Sequence, residues 1–169
     1  MSELLIGCGS RWEKQIWPPD KQEWSDLTTL DNNADHKPDV IHDLNTHPLP
    51  FEDNRFDEIH AYEVLEHLAS QGDYRFFFSE WSEYWRILKP GGTFFGKVPA
   101  PDSPWAYGDP SHTRVIPMES FIFLSQKAYS EQIGKTAMSD FRYLYQADFE
   151  LIYQERCGDS NSFALKAIK

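Results

Sequence analysis

The sequence predicts a three-layer α/β sandwich on a mostly parallel, seven-stranded, doubly wound sheet that closes in an antiparallel hairpin, with the first crossover helix reduced or absent. Three observations carry this expectation. The run Glu3 to Ser10 is apolar and ends in Gly7-Cys8-Gly9, which reads as a buried strand whose exit turn lets the backbone approach a ligand, because glycine has no Cβ to block it. Short apolar runs then alternate with one long amphipathic stretch, and the chain finishes on two apolar runs around Gly158-Asp159.

Composition bounds the possibilities. With 169 residues, 40% hydrophobic and 15% aromatic, the chain has material for one domain over residues 1–169 and too little length for two. Lys plus Arg is 16 and Asp plus Glu is 27, a net charge of -11, which disfavours a broad phosphate-tracking surface and with it nucleic acid as substrate. The two cysteines, Cys8 and Cys157, have no metal-binding spacing, and neither a signal peptide nor an apolar run of membrane-spanning length is present. A cytoplasmic protein without membrane attachment is expected.

The elements follow in order. Ser10 to Asp26 carries Trp12, Trp17, Trp24 and Pro18-Pro19, which resists a regular helix because proline removes a donor and restricts its neighbour. The indoles are expected to pack over the sheet instead. Trp24 to Asp31 reads as the second strand, with Asp31 at its carboxyl end about 20 residues after the glycine turn, the spacing of a ribose-binding acid; Asp31-Asn32-Asn33 also suits a solvated turn. Asp39 to Leu44 reads as the third strand, Arg55 to Tyr62 as the fourth and Gly92 to Val98 as the fifth. Between the last two, Tyr74, Phe77, Phe78, Trp81, Trp85 and Leu88 form one apolar helical stripe, with Phe76 off it, ending at Lys89-Pro90-Gly91-Gly92. Pro99 to Arg114 is a loop, Met118 to Tyr129 reads as a helix, Glu131 to Leu144 is ambiguous, and Phe149 to Arg156 with Ser162 to Ile168 make the closing hairpin.

These residues carry a resemblance. Leu-Ile-Gly-Cys-Gly at 5–9, Leu-Asp at 30–31, Asp-Leu at 43–44, Phe-Asp-Glu-Ile-His-Ala-Tyr-Glu-Val-Leu-Glu-His-Leu at 56–68 and Trp-Arg-Ile-Leu-Lys-Pro-Gly-Gly at 85–92 are similar to class I S-adenosylmethionine-dependent methyltransferases with a Rossmann-like fold, in particular small type-11-like members. Asp-Pro-Ser-His-Thr-Arg at 109–114 resembles a loop of small members of that superfamily. The resemblance implies S-adenosylmethionine as cofactor. Gly7, Cys8 and Gly9 would pass beneath its methionine part, Asp31 with Asn32 would take the ribose, Asp43 with the Leu44 amide would read the adenine edge, and Ala61 and Tyr62 would meet the methionine amine through their backbone carbonyls. Where the family has a third glycine this chain has Arg11, so Arg11 or Lys14 would pair with the methionine carboxylate.

Methyl transfer is an in-line displacement at an activated carbon, so the protein mainly aligns the reactants and excludes water, with a base needed for a weakly acidic hydroxyl. Trp105 and Tyr107 are candidates to flank a small-molecule acceptor, or to fill the gap left by a missing first helix. If Glu63 to Leu68 opens a helix, Glu63, Glu66 and His67 share one face and His112 closes over it, a donor set suited to Mg, Mn or Zn that resembles the metal site of small-RNA 2′-O-methyltransferases and ubiquinone-pathway O-methyltransferases. Alternatively His67 and His112 act as base or hold the 109–114 loop. O-methylation is favoured. Two other functions stay open: a non-catalytic cofactor-binding module acting through a partner protein or self-association, and a nicotinamide dinucleotide enzyme, which the incomplete glycine motif opposes.

Overall fold

The computed structural model describes residues 1–15 and 23–169. Its sheet has seven strands in the order β3-β2-β1-β4-β5-β7-β6. They are β1 (Ser2–Ile6), β2 (Asp26–Asp31), β3 (Val40–Ile41), β4 (Phe56–Tyr62), β5 (Leu88–Pro99), β6 (Phe149–Cys157) and β7 (Ser160–Ala167). The first five pair in parallel, and β7 runs antiparallel to both β5 and β6. Connections leave β1 toward β2 and return to β4 on its other side, so a crevice forms at the carboxyl ends of β1 and β4, where α/β sheets of this kind take ligands.

The helix α1 (Tyr74–Ile87) begins where the Asp73 carboxylate accepts the Phe76 amide at 3.0 Å and stops at Leu88-Lys89-Pro90, since the residue before proline leaves the helical region. Its buried side chains are Phe78, Glu80, Trp81, Tyr84 and Ile87. The buried stripe is therefore rotated from the expected one: Tyr74 is 39% exposed, and Trp85 lies at the edge, donating its indole N–H to the Ile168 carbonyl. Trp81 packs against Phe94, Phe121 and Phe149 at ring distances of 4.9, 5.5 and 5.6 Å, joining α1 to the sheet and to the 118–124 segment.

The opposite face is built differently. Glu3, Glu58 and His60, all buried, alternate with the apolar residues of β1 and β4, and Lys14 lies over them with Nζ bonded to Glu3 and 2.9 Å from Glu58 Oε2. Parallel sheets covered by helices on both faces are apolar on both, so this alternation marks a face with another cover. That cover is the expected tryptophan segment in part. The Trp24 ring stands edge-on to His60 at 4.9 Å and its indole donates to the Trp12 carbonyl, while residues 11–15 and 23–25 hold no helix. Trp17 and Pro18-Pro19 lie outside the described residues.

Three further expectations need correction. The predicted helix over Met118 to Tyr129 is a 3-10 turn over Met118–Leu124 followed by α3 (Gln126–Gln132), because Ser125 is extended and caps the second piece through the Ala128 amide. The third strand is two residues long, since Asp39 turns its carboxylate onto the Thr29 amide and hydroxyl, both at 2.8 Å. The fifth strand starts earlier, at Leu88. Within the Pro99 to Arg114 loop, α2 (Trp105–Gly108) is a single turn. Among the described residues no helix is long and apolar enough to cross a membrane.

Candidate functional site

The crevice begins with the turn after β1. Gly7 and Gly9 both adopt left-handed backbone, with φ of +57° and +53°, a region that costs other residues steric strain. The turn is tied to β2 twice: the Cys8 amide donates to the Leu30 carbonyl at 3.2 Å and the Gly9 amide to Asp31 Oδ2 at 2.9 Å. The other carboxylate oxygen of Asp31 accepts the Asn33 amide at 2.8 Å and faces the His36 ring at 3.3 Å. The two glycines have separate reasons. A Cβ on Gly7 would come within 2.2 Å of Val64, whereas one on Gly9 would meet nothing within 4 Å, so Gly7 seats the loop after β4 and Gly9 keeps space open above the turn.

Two cavities meet over these glycines. One, of about 340 Å³, reaches past Asp31, Asn32 and His36 to Asp43, Leu44 and Asn45, and on the other side to Val64 and His67. The second, of about 280 Å³, runs from Gly7, Cys8 and Gly9 to Arg11, Gln15 and Tyr62. Together they form an elongated groove with carboxylates at one end and Arg11 at the other. The other expected cofactor residues line it, and Ala61, expected to act through its backbone carbonyl, has its side chain buried in the core between the strands that flank β4. Lys14 is removed from the expected role, because it is engaged with Glu3 and Glu58. His36, His42 and Asn45 were not expected. Asn45 is held by Asp43, whose Oδ1 accepts its amide at 2.9 Å, and it accepts the Ala69 amide at 2.8 Å, linking the adenine-edge candidates to the loop after β4. The signal for it was the turn pattern Asp43-Leu44-Asn45.

That loop carries the acid and histidine cluster. The helix expected over Glu63 to Leu68 is absent: Glu63 is left-handed with φ +54°, and only Leu65–His67 make a 3-10 turn. Glu63 turns toward the hairpin, where it accepts the Ser160 hydroxyl at 2.7 Å and faces Lys97 at 3.7 Å. Glu66, His67 and His112 do come together, with one ligand atom from each within 4.8 Å of the others. Glu66 is 2% exposed, neither of its carboxylate oxygens has a hydrogen-bond partner among the described residues, and burial, with the neighbouring Glu63 charge, pushes its pKa up to about 8. His112 stands with Nε2 3.9 Å from Glu66 Oε1 and its Nδ1 unpartnered among the described residues. The His67 and His112 rings are 4.7 Å apart. His67 Nδ1 faces the Ser111 carbonyl at 3.3 Å, which assigns the proton to Nδ1 and leaves Nε2 as the lone pair.

The two segments are fastened together by backbone and by a buried ion pair. Thr113 and Arg114 amides both donate to the Glu66 carbonyl, Arg114 Nε donates to the Leu65 carbonyl at 2.8 Å, and the Arg114 guanidinium contacts both Glu80 oxygens at 2.9 and 2.8 Å. Sequence reasoning missed this pair; the one signal was Glu80 on the apolar side of α1. Trp105 and Tyr107 do not fill a gap: they are 61% and 72% exposed on α2.

Comparison with known proteins bears on the family and the fold. The family described as "Methyltransferase domain" matches residues 4–96, which spans β1 to β5 and therefore the whole groove. No curated protein matches. Among solved structures, an S-adenosylmethionine-dependent methyltransferase from Archaeoglobus fulgidus aligns over 98% of this chain and 85% of its own at TM-score 0.60 and 16% identity. The N-methyltransferase NodS from Bradyrhizobium japonicum WM9, in complex with S-adenosyl-L-homocysteine, aligns over 99% and 78% at TM-score 0.61 and 15% identity. A putative methyltransferase from Haloferax volcanii, in complex with the Trm112 methyltransferase activator, aligns over 99% and 82% at TM-score 0.60 and 16% identity. At these identities the structural likeness speaks for the fold, and the family match for descent: the chain belongs to the methyltransferase-domain family of the class I S-adenosylmethionine-dependent methyltransferases.

Proposed function

We propose that residues 1–169 form one catalytic domain that transfers a methyl group from S-adenosylmethionine to the hydroxyl of a small-molecule acceptor. The observation that carries this reading is the groove over Gly7 and Gly9, with Asp31 and Asp43 along one arm and Arg11 and Tyr62 along the other. A ligand with an adenine edge, a ribose diol and a zwitterionic amino-acid end, in that order, needs an acceptor for each of the first two and a cation for the carboxylate at the far end. Asp31 already uses one lone pair on each oxygen, and a carboxylate has about four, so it can still take the diol.

Transfer breaks the bond between sulfur and methyl carbon, the electron pair staying on sulfur, as the acceptor oxygen bonds to the carbon. The hydroxyl proton must leave. In this reading His67 Nε2 receives it, supported by the contact of Nδ1 with Ser111 and by the bond of Ser111 Oγ to Asp109 at 2.6 Å. A buried carboxylate without partners is costly unless a cation or proton meets it, and Glu66 beside two imidazoles fits a divalent ion such as Mg, Mn or Zn. Such an ion, held by Glu66, His67 and His112 with Glu63 next to it, is the alternative to a His67 base, because Nε2 has one lone pair: it would polarise the acceptor oxygen and lower its pKa, and the proton would leave to water.

A partner-dependent or non-catalytic role is the second reading, favoured by one observation: the Haloferax neighbour is in complex with an activator protein. Turnover decides between them. S-adenosylhomocysteine release is measured over a panel of phenolic, alcoholic and amine acceptors, with added Mg, Mn or Zn and with chelator, for wild type and H112A. Metal-stimulated release with a phenol or alcohol supports the reading; tight cofactor binding with no release from any acceptor supports the module. The net charge of -11 disfavours a nucleic-acid substrate, and a cytoplasmic location accompanies the proposal, on two cysteines without metal-binding spacing.

A further inference from the structure

On the α1 side of the same segments lies a third cavity, of about 230 Å³. Aromatic rings dominate it: Tyr74, Phe77 and Phe78 from the first turns of α1, and Phe123 and Phe141 across from them, with Ile116. Phe141 contacts three of these rings, 4.9 Å from Phe78 and 5.7 Å from both Tyr74 and Phe123. Several of its polar members are engaged inside the protein. Arg114 is neutralised by Glu80, Asp73 caps α1, and Gln71 accepts the Val115 amide at 2.7 Å.

The cavity's position bears on the reaction. Its wall includes Gln71, Arg114 and Val115, and the backbone there is the ladder that holds the Glu66 and His112 segments together, through Gln71 to Thr113 and Thr113 to Glu66. A solvent-open cavity with walls mainly of aromatic and aliphatic side chains is unsuited to a charged or sugar-like group and suited to a ring. An apolar cavity of about 150 Å³ takes up benzene, so this one has room for one or two fused rings.

We propose that this cavity receives the apolar, ring-bearing part of the acceptor, whose hydroxyl then faces the Glu66, His67 and His112 cluster. The proposal rests on the methyltransferase reading above and names its substrate class. It places the acceptor against Phe77 and Phe123 rather than against the exposed Trp105 and Tyr107.

The test uses 2-naphthol as probe on the full chain. Binding is followed by NMR with and without saturating S-adenosylhomocysteine, for wild type and for V115F and S120F, two independent cavity-filling variants whose folding is checked by near-ultraviolet circular dichroism. The expected result is binding in the presence of S-adenosylhomocysteine, with nuclear Overhauser contacts from the naphthol ring to Phe77, Phe123 and Ile116. Whichever variant folds should bind naphthol at least tenfold more weakly and S-adenosylhomocysteine unchanged. Competition between naphthol and S-adenosylhomocysteine, contacts to Trp105 or Tyr107, unchanged affinity in a folded variant, or tighter binding of benzyltrimethylammonium than of naphthol would each overturn the proposal. Failure of wild type to bind S-adenosylhomocysteine contradicts the methyltransferase reading instead, and the naphthol contacts are read independently of it.

Discussion

Asp31 Oδ2 accepts the amide of Gly9 across 22 residues of sequence, so the acid expected to hold the cofactor's ribose also holds the turn on which the cofactor would lie. The two roles separate by substitution. Asp31→Ala removes both, and at about 1.5 to 3 kcal/mol per charge-assisted bond it should weaken S-adenosylhomocysteine binding at least tenfold and lower the melting temperature. Asp31→Asn keeps one acceptor for the Gly9 amide and should weaken binding with a smaller loss of stability. Calorimetry together with thermal unfolding of both variants checks this; a normal affinity in Asp31→Ala contradicts it.

The glycines should fail in different assays. Gly7→Ala places a Cβ against Val64 in left-handed backbone, and overpacking of this kind costs about 1 to 3 kcal/mol, read in chemical denaturation. Gly9→Val meets open space, so beyond the strain of its φ its effect belongs to the ligand: binding is lost while most of the stability remains.

Breaking the buried pair of Arg114 and Glu80 leaves one charge without its partner, which costs on the order of 3 to 5 kcal/mol. Arg114→Met should therefore unfold at clearly lower denaturant concentration, and the double variant Arg114→Met with Glu80→Met should recover part of the loss. Equal stability of wild type and the single variant would show that the pair does not hold the segments together.

Glu58 gives the pH dependence. Burial opposes its charge, but His60 and Lys14 hold its pKa down to about 2 from an ordinary 4.5. A depressed acid adds stability at pH above its unfolded value and loses it as pH falls, here between about 4.5 and 2, at no more than about 1.4 kcal/mol per pH unit. Glu58→Gln should flatten the acid limb of the stability curve in that window. An unchanged slope there would show that Lys14 and His60 do not hold the carboxylate ionised.

Much of this was legible before the fold was known, and what was not has physical causes. The apolar runs and Gly158-Asp159 located six of the seven strands well, because buried parallel strands and a tight hairpin leave local signatures. Strand β3 was overestimated, since Asp39 spends its carboxylate on Thr29, a tertiary contact. The groove was legible through Gly7, Gly9, Asp31 and Asp43, while Lys14 is engaged elsewhere. For Lys14 the cause was a pair of acids, Glu3 and Glu58, that are 55 residues apart and adjacent only through strand pairing. The Glu63 helix failed on one left-handed residue. The Arg114–Glu80 pair and the aromatic cavity depend on which faces of α1 and the 112–123 segment meet, which local pattern does not specify.

The central claim is that the groove over Gly7 and Gly9 is an S-adenosylmethionine site. Isothermal calorimetry of wild-type protein with S-adenosylhomocysteine tests it most directly. The account predicts one-to-one binding that Gly9→Val abolishes and V115F leaves unchanged. Absence of heat up to millimolar ligand, or equal binding by Gly9→Val, would contradict it.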